Sequence, residues 1–457
     1  MSKIVVKFGG SNLKSKSDLG KILNVIEQYK QPVIIVVSAF YGITDFLASK
    51  INQCLEEGFE VDAIINNLRK KNEKIILENF EDIYLIRKTI NRVDKVINEL
   101  EKFLLGIHYI KEVPEFLEDQ ILSCGEKISS IILHSLLESK GIRSELIFPE
   151  ELPLITDGEF RNATVDFKAS EKKVREKLSG NHTYVIPGFY GVSPSGKITL
   201  LGRGGSDYSA ASIAKCVQAD FLDIWKDVNG FMTGDPKLVE NPVRLDKITY
   251  AEAAELAYFG AKILHPRTVE PLMEAHIPIR LFNINGILNN TQPVSYVNSE
   301  EVVMDGVVKS VTYSDEFCII KLRGPGVGIK SGILAKVTGG LGKEKINISS
   351  VITSQIAINI LLHNKDRSRA LYVIKNLALP AVNEIVTLDE ISLIAVVGQG
   401  MLDNHGVAAR IFSSIARQKI NIKISSSGAS QVVSYLVVDR ENRTLAVREI
   451  HNEFFNK

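Results

Sequence analysis

Cysteine is scarce and scattered in this 457-residue chain: Cys54, Cys124, Cys216 and Cys318 form no C-x-x-C pair. Neither a disulfide framework nor a thiolate zinc site is indicated, and a reducing cytoplasm is the expected compartment. The eight histidines fall into no metal-ligand spacing, so no metal ligands are assigned. Neither charge sign dominates, since 55 lysines and arginines face 54 aspartates and glutamates. That balance argues against nucleic acid or an anionic membrane and favours a small molecule or a protein as partner. No apolar run approaches the roughly 20 residues that span a bilayer. The strand-like Ile4-Val5-Val6-Lys7-Phe8 follows Met1 almost at once, so no targeting segment is expected.

What is present is alternation. Up to about residue 295, β-branched runs at 3–8, 32–39, 143–148, 183–189, 197–201, 220–225 and 277–282 alternate with longer helical patterns. This predicts an α/β domain whose mainly parallel sheet is sandwiched by helices. Ile86, Ile90, Val93, Ile97, Leu100 and Leu104 recur at three- and four-residue spacing and predict a helix with one core-facing stripe. Beyond residue 300 a repeat appears. "KINI" at 345–348 returns at 419–422, and "SGILAKV" at 331–337 is matched by "HGVAARI" at 405–411, both in a register of 74 residues. Two ferredoxin-like βαββαβ units of roughly 70 residues are implied. A linker is expected near 289–301, where Asn, Gln, Pro and Ser cluster. The expected organisation is a domain over 1–295 and modules over 305–385 and 386–457.

Several motifs stand at element ends. The first strand runs into Gly9-Gly10, whose backbone N–H groups would face the carboxyl edge of the sheet, with Lys7 adding an ammonium; a plain structural turn reads equally well. Ser17 is the expected N-cap of the next helix. Gly191 to Lys197 matches GxxxxGK, but Ile198 offers no hydroxyl for magnesium and "SPSGK" reads as a hairpin turn. In Arg203-Gly204-Gly205-Ser206-Asp207 two charges straddle a glycine turn, and Ser206 is placed to cap the helix that follows. An arginine there suits a carboxylate, and an aspartate can orient a lysine or position a metal-bound phosphate. The loop after Trp225, itself a core residue, carries Lys226, Asp227, Asn229, Asp235 and Lys237, a mix that suits ribose and phosphates or simply solvent. Gly125-Glu126 reads as the start of an apolar helix, with Glu126 complementing its dipole. Lys262, His265 and Arg267 surround a proline, and His265 reads as a packing residue.

Taken in order, these segments resemble the aspartate kinases of the amino acid kinase family. The family's KFGG(T/S) is similar to Lys7 through Ser11, VVSAxxGxT to Val36 through Thr44, GRGGSD to Gly202 through Asp207 and W(T/K)DVxG to Trp225 through Gly230. ELAYFGAKxLHPR is matched letter for letter from Glu255 to Arg267, and the repeated tail resembles a tandem pair of ACT domains. The resemblance implies an amino acid kinase fold followed by two ACT domains, in a cytoplasmic enzyme of lysine, threonine and methionine biosynthesis. It implies ATP, carried with Mg2+, as donor and the β-carboxylate of L-aspartate as acceptor.

The same resemblance implies that Lys7 bridges the phosphoryl group and Asp207 orients it. Ser38, Thr44, Glu126, Arg203, Gly204, Gly205 and Ser206 would form the aspartate pocket, Glu126 holding the α-ammonium and Arg203 a carboxylate. Lys7, Phe8, Gly9, Gly10, Lys226, Asp227, Met232, Lys237 and Lys262 would form the ATP site. Ile348, Ser349, Thr353, Ser354 and Gln355 would contact an amino-acid effector, lysine or threonine, in a homodimer or higher homo-oligomer built through the ACT domains. Four positions depart from the common pattern: Lys226 stands where Thr is frequent, Met232 for Tyr, Lys237 for Arg and Gln355 for Glu. A catalytically inactive amino-acid sensor and a different amino acid kinase are the alternatives. The first is opposed by Lys7, Glu126, Arg203 and Asp207 together, the second by the tandem tail. A fused homoserine dehydrogenase module is not expected within this length.

Overall fold

β1 (Ile4–Phe8) is buried along four of its five residues, as a parallel strand covered on both faces requires. The computed structural model describes residues 3–261, 263–286, 292–302, 304 and 307–456. Two units result, one of 1–231, 244–257 and 262–302, the other of 232–243, 258–261 and 303–457.

In the first unit, β1 is followed by α1 (Lys16–Gln28), β2 (Ile34–Val37), α2 (Ile43–Gln53), α3 (Val61–Asn79), α4 (Ile83–Ile110) and α5 (Glu115–Ser139). Then come β3 (Ser144–Leu146), α6 (Phe167–Lys177), β4 (Thr183–Pro187), the hairpin β5 (Tyr190–Val192) and β6 (Ile198–Leu200), α7 (Gly205–Val217) and β7 (Phe221–Lys226). The unit closes with β8 (Lys247–Thr249), α8 (Tyr250–Tyr258), α9 (Pro266–Ala275), β9 (Ile279–Asn283) and β10 (Ser295–Asn298). An eight-stranded sheet takes the order β3-β4-β2-β1-β7-β9-β10-β8, parallel except between β9 and β10.

The apolar stripe of α4 lies in the core through Val93, Ile97, Leu100 and Leu104, as its spacing predicted. The GxxxxGK stretch is the β5–β6 hairpin, closed by Ser193 N–H to Lys197 C=O. Three expectations need correction. Ser15 caps α1, reciprocally with Asp18, and Ser17 lies inside the helix. The run at 197–201 enters this separate hairpin and not the main sheet. The expected linker at 289–301 contains β10, which pairs with β9 and β8, so a boundary at 295 would cut a strand of the sheet.

The second unit holds β11 (Ser310–Ser314), β12 (Phe317–Arg323), α10 (Ile333–Lys343), β13 (Ile348–Ser354), β14 (Ala357–His363), α11 (Arg367–Asn376) and β15 (Glu384–Leu388). After them come β16 (Ile391–Val397), α12 (Val407–Arg417), β17 (Ile424–Ser427), β18 (Val433–Asp439) and α13 (Arg443–Phe455). The 74-residue register is the spacing of α10 and α12, which share their caps: Gly332 and Gly406 at φ 85° and 86° before them, Lys345 and Lys419 at φ 54° and 57° after them.

One four-stranded sheet is β13-β14-β12-β15 and the other β17-β18-β16-β11. The two orders correspond strand for strand, with β11 in the place that β15 takes in the first module. The second module is therefore βαββα plus a strand borrowed from upstream, and the first module is inserted within it. The contiguous spans 305–385 and 386–457 miss this exchange, because Ser310–Ser314 pairs with β16.

Candidate functional site

Strand register gathers the site. Phe8 lies opposite Val37 on one side and Trp225 on the other, and Val37 opposite Pro187. Gly9, Ser38, Gly188 and Lys226 consequently sit together at or just past the carboxyl edge, where open parallel sheets bind ligands. A side chain at Gly9 would crowd Lys7, whose Nζ lies 3.4 Å from where a Cβ at Gly9 would stand. Asn12, buried, donates to the Trp225 carbonyl at 2.7 Å and fastens the glycine turn to β7. Trp225 itself is core, stacked on Phe282 at 4.5 Å.

The Lys7 ammonium, almost wholly buried, pairs with Asp207 Oδ1, and Lys226 Nζ donates to Asp207 Oδ2 at 3.0 Å and to the Ile263 carbonyl. Burial lowers the Lys7 pKa from its ordinary value, and the Asp207 carboxylate opposes that. Burial alone would raise the Asp207 pKa, but Lys226 and Lys7 overcome it and hold the group well below the usual carboxylate range. Two ammonium groups thus share one carboxylate beside the buried Gly9 and half-buried Gly10, a net positive site suited to a multiply charged anion.

Glu126 lies in the middle of α5, far from the helix start at which the sequence placed it, so the helix dipole gives it no support. It is buried, receives the Ala39 N–H and the Ser206 hydroxyl, and its Oε2 has no hydrogen-bond partner among the described residues. Burial pushes its pKa up to about 8 against those donors and the nearby Lys7. Gly125 permits this approach: a Cβ there would come 2.9 Å from the Ala39 Cβ. Ser129 donates to the Ser38 carbonyl at 2.7 Å and ties α5 to the end of β2, while Thr44 is half-buried in the first turn of α2.

The turn 203–207 opens α7, but Ser206 does not cap it. Gly204 is the N-cap at φ 72°, and Ser206 is spent on Glu126. Gly205 begins the helix, and Arg203 is exposed at the bend. Asp227 is exposed with Lys14 3.8 Å away. Met232 and Lys237 belong to the second unit, where Ser310 Oγ donates to the Met232 carbonyl at 2.8 Å and Lys237 is exposed. Lys262 lies outside the described residues. Among the effector candidates, Ile348, Ser349, Thr353 and Ser354 lie on β13 and Gln355 in the turn after it.

The amino acid kinase family is matched over residues 2–283. The chain belongs to this family. The ACT domain family is matched over 394–454. This amino acid kinase is 30% identical to the bifunctional aspartokinase/homoserine dehydrogenase of Buchnera aphidicola, over 99% of the chain and 57% of that protein. It is 27% identical to the aspartokinase of Schizosaccharomyces pombe, over 98% of the chain and 92% of that protein. The chain therefore spans little more than half the length of its bifunctional relatives. The structure of E. coli aspartokinase III with aspartate and ADP superposes with a TM-score of 0.83 at 24% identity, over 99% of the chain and 100% of that one, a likeness of fold.

Sequence reading missed Gly188, Ser129 and Asp119. Gly188 follows β4 as Gly9 follows β1, and a Cβ there would lie 2.9 Å from the Ser206 Cβ, so the strand–glycine signal was present twice. No described helix is long and apolar enough to cross a membrane.

Proposed function

We propose that this chain is an aspartate kinase, transferring the γ-phosphoryl group of ATP to the β-carboxylate of L-aspartate to give 4-phospho-L-aspartate. The observation that carries the reading is the Lys7–Asp207–Lys226 cluster beside Gly9 and Gly10, with the buried carboxyl of Glu126 within its electrostatic reach. The two groups supply opposite needs, a cationic cradle for phosphate and a carboxyl for an ammonium. The aspartokinase relatives supply the prior that names the acceptor.

Phosphoryl transfer to a carboxylate requires positioning and charge neutralisation, and the acceptor is already ionised at neutral pH. Lys7 neutralises charge on the transferring group while Asp207 fixes its direction, and the Gly9 and Gly10 N–H groups hold phosphate oxygens. Arg203 binds an acceptor carboxylate, and Glu126 takes the acceptor ammonium, with Ser38, Thr44 and Ser206 closing the pocket. Among the described residues no three acidic, histidine or cysteine side chains gather as a metal cage. Mg2+ carried with the nucleotide would supply neutralisation of its phosphate charge. The test is purified protein with ATP, magnesium and hydroxylamine: aspartyl hydroxamate should form with aspartate, and none above background would sink the reading.

Arg203→Ala should raise the KM for aspartate about 100-fold, the cost of one charge-assisted bidentate contact, and change the KM for ATP less than about threefold. Steady-state kinetics with each substrate varied separates the two. We also propose a cytoplasmic homo-oligomer inhibited through the ACT modules by lysine or threonine. Equal activity with and without millimolar concentrations of both would count against the regulation.

A further inference from the structure

We propose that Arg267, acting with Asp119, positions the Gly202-Arg203-Gly204 bend and thereby sets how tightly the acceptor carboxylate is held, though neither side chain touches the acceptor. The inference rests on the aspartate kinase reading for its substrate and on geometry for the rest.

Two side chains clamp the same two segments from different sides. The Asp119 carboxylate accepts the Leu200 N–H at 2.8 Å and the Arg161 N–H at 3.0 Å and 3.2 Å. Arg267 Nη1 donates to the Leu201 carbonyl at 2.7 Å and to Asn162 Oδ1 at 3.0 Å. Its Nη2 donates to the Ala163 carbonyl at 2.6 Å and to Thr164 Oγ1 at 3.3 Å. Ala163 N–H closes the gap to the Leu200 carbonyl at 2.8 Å. Stacking on the Tyr208 ring, with Cζ 4.4 Å from its centre, keeps the guanidinium plane in register with α7.

The clamp reaches Arg203 through Gly202, the glycine that precedes it. Gly202, at φ 74°, rests on Asn162, whose Oδ1 lies 2.6 Å from where a Cβ would stand. Gly204, at φ 72°, rests on His265, whose Cβ would lie 2.5 Å from one. Asn162 is held by Arg267, and His265 caps α9 by accepting the Arg267 N–H at 3.4 Å. The Arg267 guanidinium therefore seats Gly202 through Asn162, while the residue's backbone N–H, which a substitution leaves in place, holds His265 beside Gly204. A lysine carries the charge but cannot reach four acceptors across a planar fork, so shape and not charge is what the position requires.

The test uses the full chain carrying Arg267→Lys or Arg267→Ala. The KM for aspartate should rise about 10-fold in the first and about 30- to 100-fold in the second, with the KM for ATP within about twofold. Guanidinium chloride at low, non-denaturing concentration should restore part of the loss in Arg267→Ala and none in wild type. Amide hydrogen exchange at 201–204 should be faster by about 10-fold in Arg267→Lys, a readout independent of activity. An unchanged KM for aspartate in a folded variant, both KM values rising together, or unchanged exchange would overturn the inference. If Arg267→Ala does not fold, Arg267→Lys decides. Absence of hydroxamate from the wild-type protein would instead defeat the functional reading, and exchange would still test the clamp.

Discussion

Asp207→Asn should lower kcat about 10³-fold at neutral pH while the KM for aspartate stays within about threefold. The carboxylate is the counter-ion of both Lys7 and Lys226. Without its charge two ammonium groups remain close together at low dielectric, and burial has already lowered the Lys7 pKa. Lys7 then sheds its proton and can no longer neutralise charge on the transferring phosphoryl group. The sign of the pH effect follows: lowering the pH reprotonates Lys7, so the variant recovers activity in the direction in which wild type, still holding Asp207, does not. Steady-state kinetics at saturating substrates across pH measures it, with thermal unfolding to confirm a folded protein. A kcat within tenfold of wild type, or a parallel pH profile, would show that Asp207 does not govern Lys7.

Legibility in the sequence depended on how local the cause was. β1, β2, β4 and β7 are buried on both faces and rich in apolar residues, and a strand that must be so announces itself. The tandem modules were visible because identical helix caps force identical residues. β8 and β10 were not, since they have three and four residues and, among the described residues, pair only with each other and with β9. Nothing in Ser310–Ser314 says that it completes a sheet whose other strands begin at Ile391; the open side of β16 decides that.

At the site, Arg203 and Asp207 stood out because a plain glycine turn needs no flanking charges, whereas Lys7 with Gly9 and Gly10 read equally well as a structural turn until the motifs were taken together. Glu126 was picked out for a mistaken reason. Gly125 suggested a helix start, whereas it is the close approach to Ala39 that excludes a side chain there. Asp119, one heptad earlier on the same helix and buried like Glu126, carried a readable signal: an acid within an apolar helix face. Arg267 stood out beside its proline, but its role did not, because its partners come from residues 162–164 and 201, far along the chain.

The KM for aspartate should fall about tenfold per pH unit from about pH 6 to about pH 8 and level off above that, with kcat changing less. Burial holds the Glu126 pKa up at about 8, so in the empty site the carboxyl is mostly protonated at neutral pH. An acceptor ammonium requires the ionised form, and its charge replaces the water that burial removed. Binding therefore expels a proton from Glu126, and expelling it becomes easier as pH rises towards that value. The empty protein feels the opposite sign. In the unfolded chain the group ionises near 4.5 and in the folded one near 8, so its contribution to stability declines as pH rises through that window. Glu126→Gln should consequently unfold at a higher temperature than wild type at pH 8 without aspartate, yet bind aspartate about 100-fold more weakly with no pH slope. Titration calorimetry in two buffers of different ionisation enthalpy measures the released proton directly. A proton count near zero at pH 7 in wild type would mean that Glu126 is already ionised before the ammonium arrives.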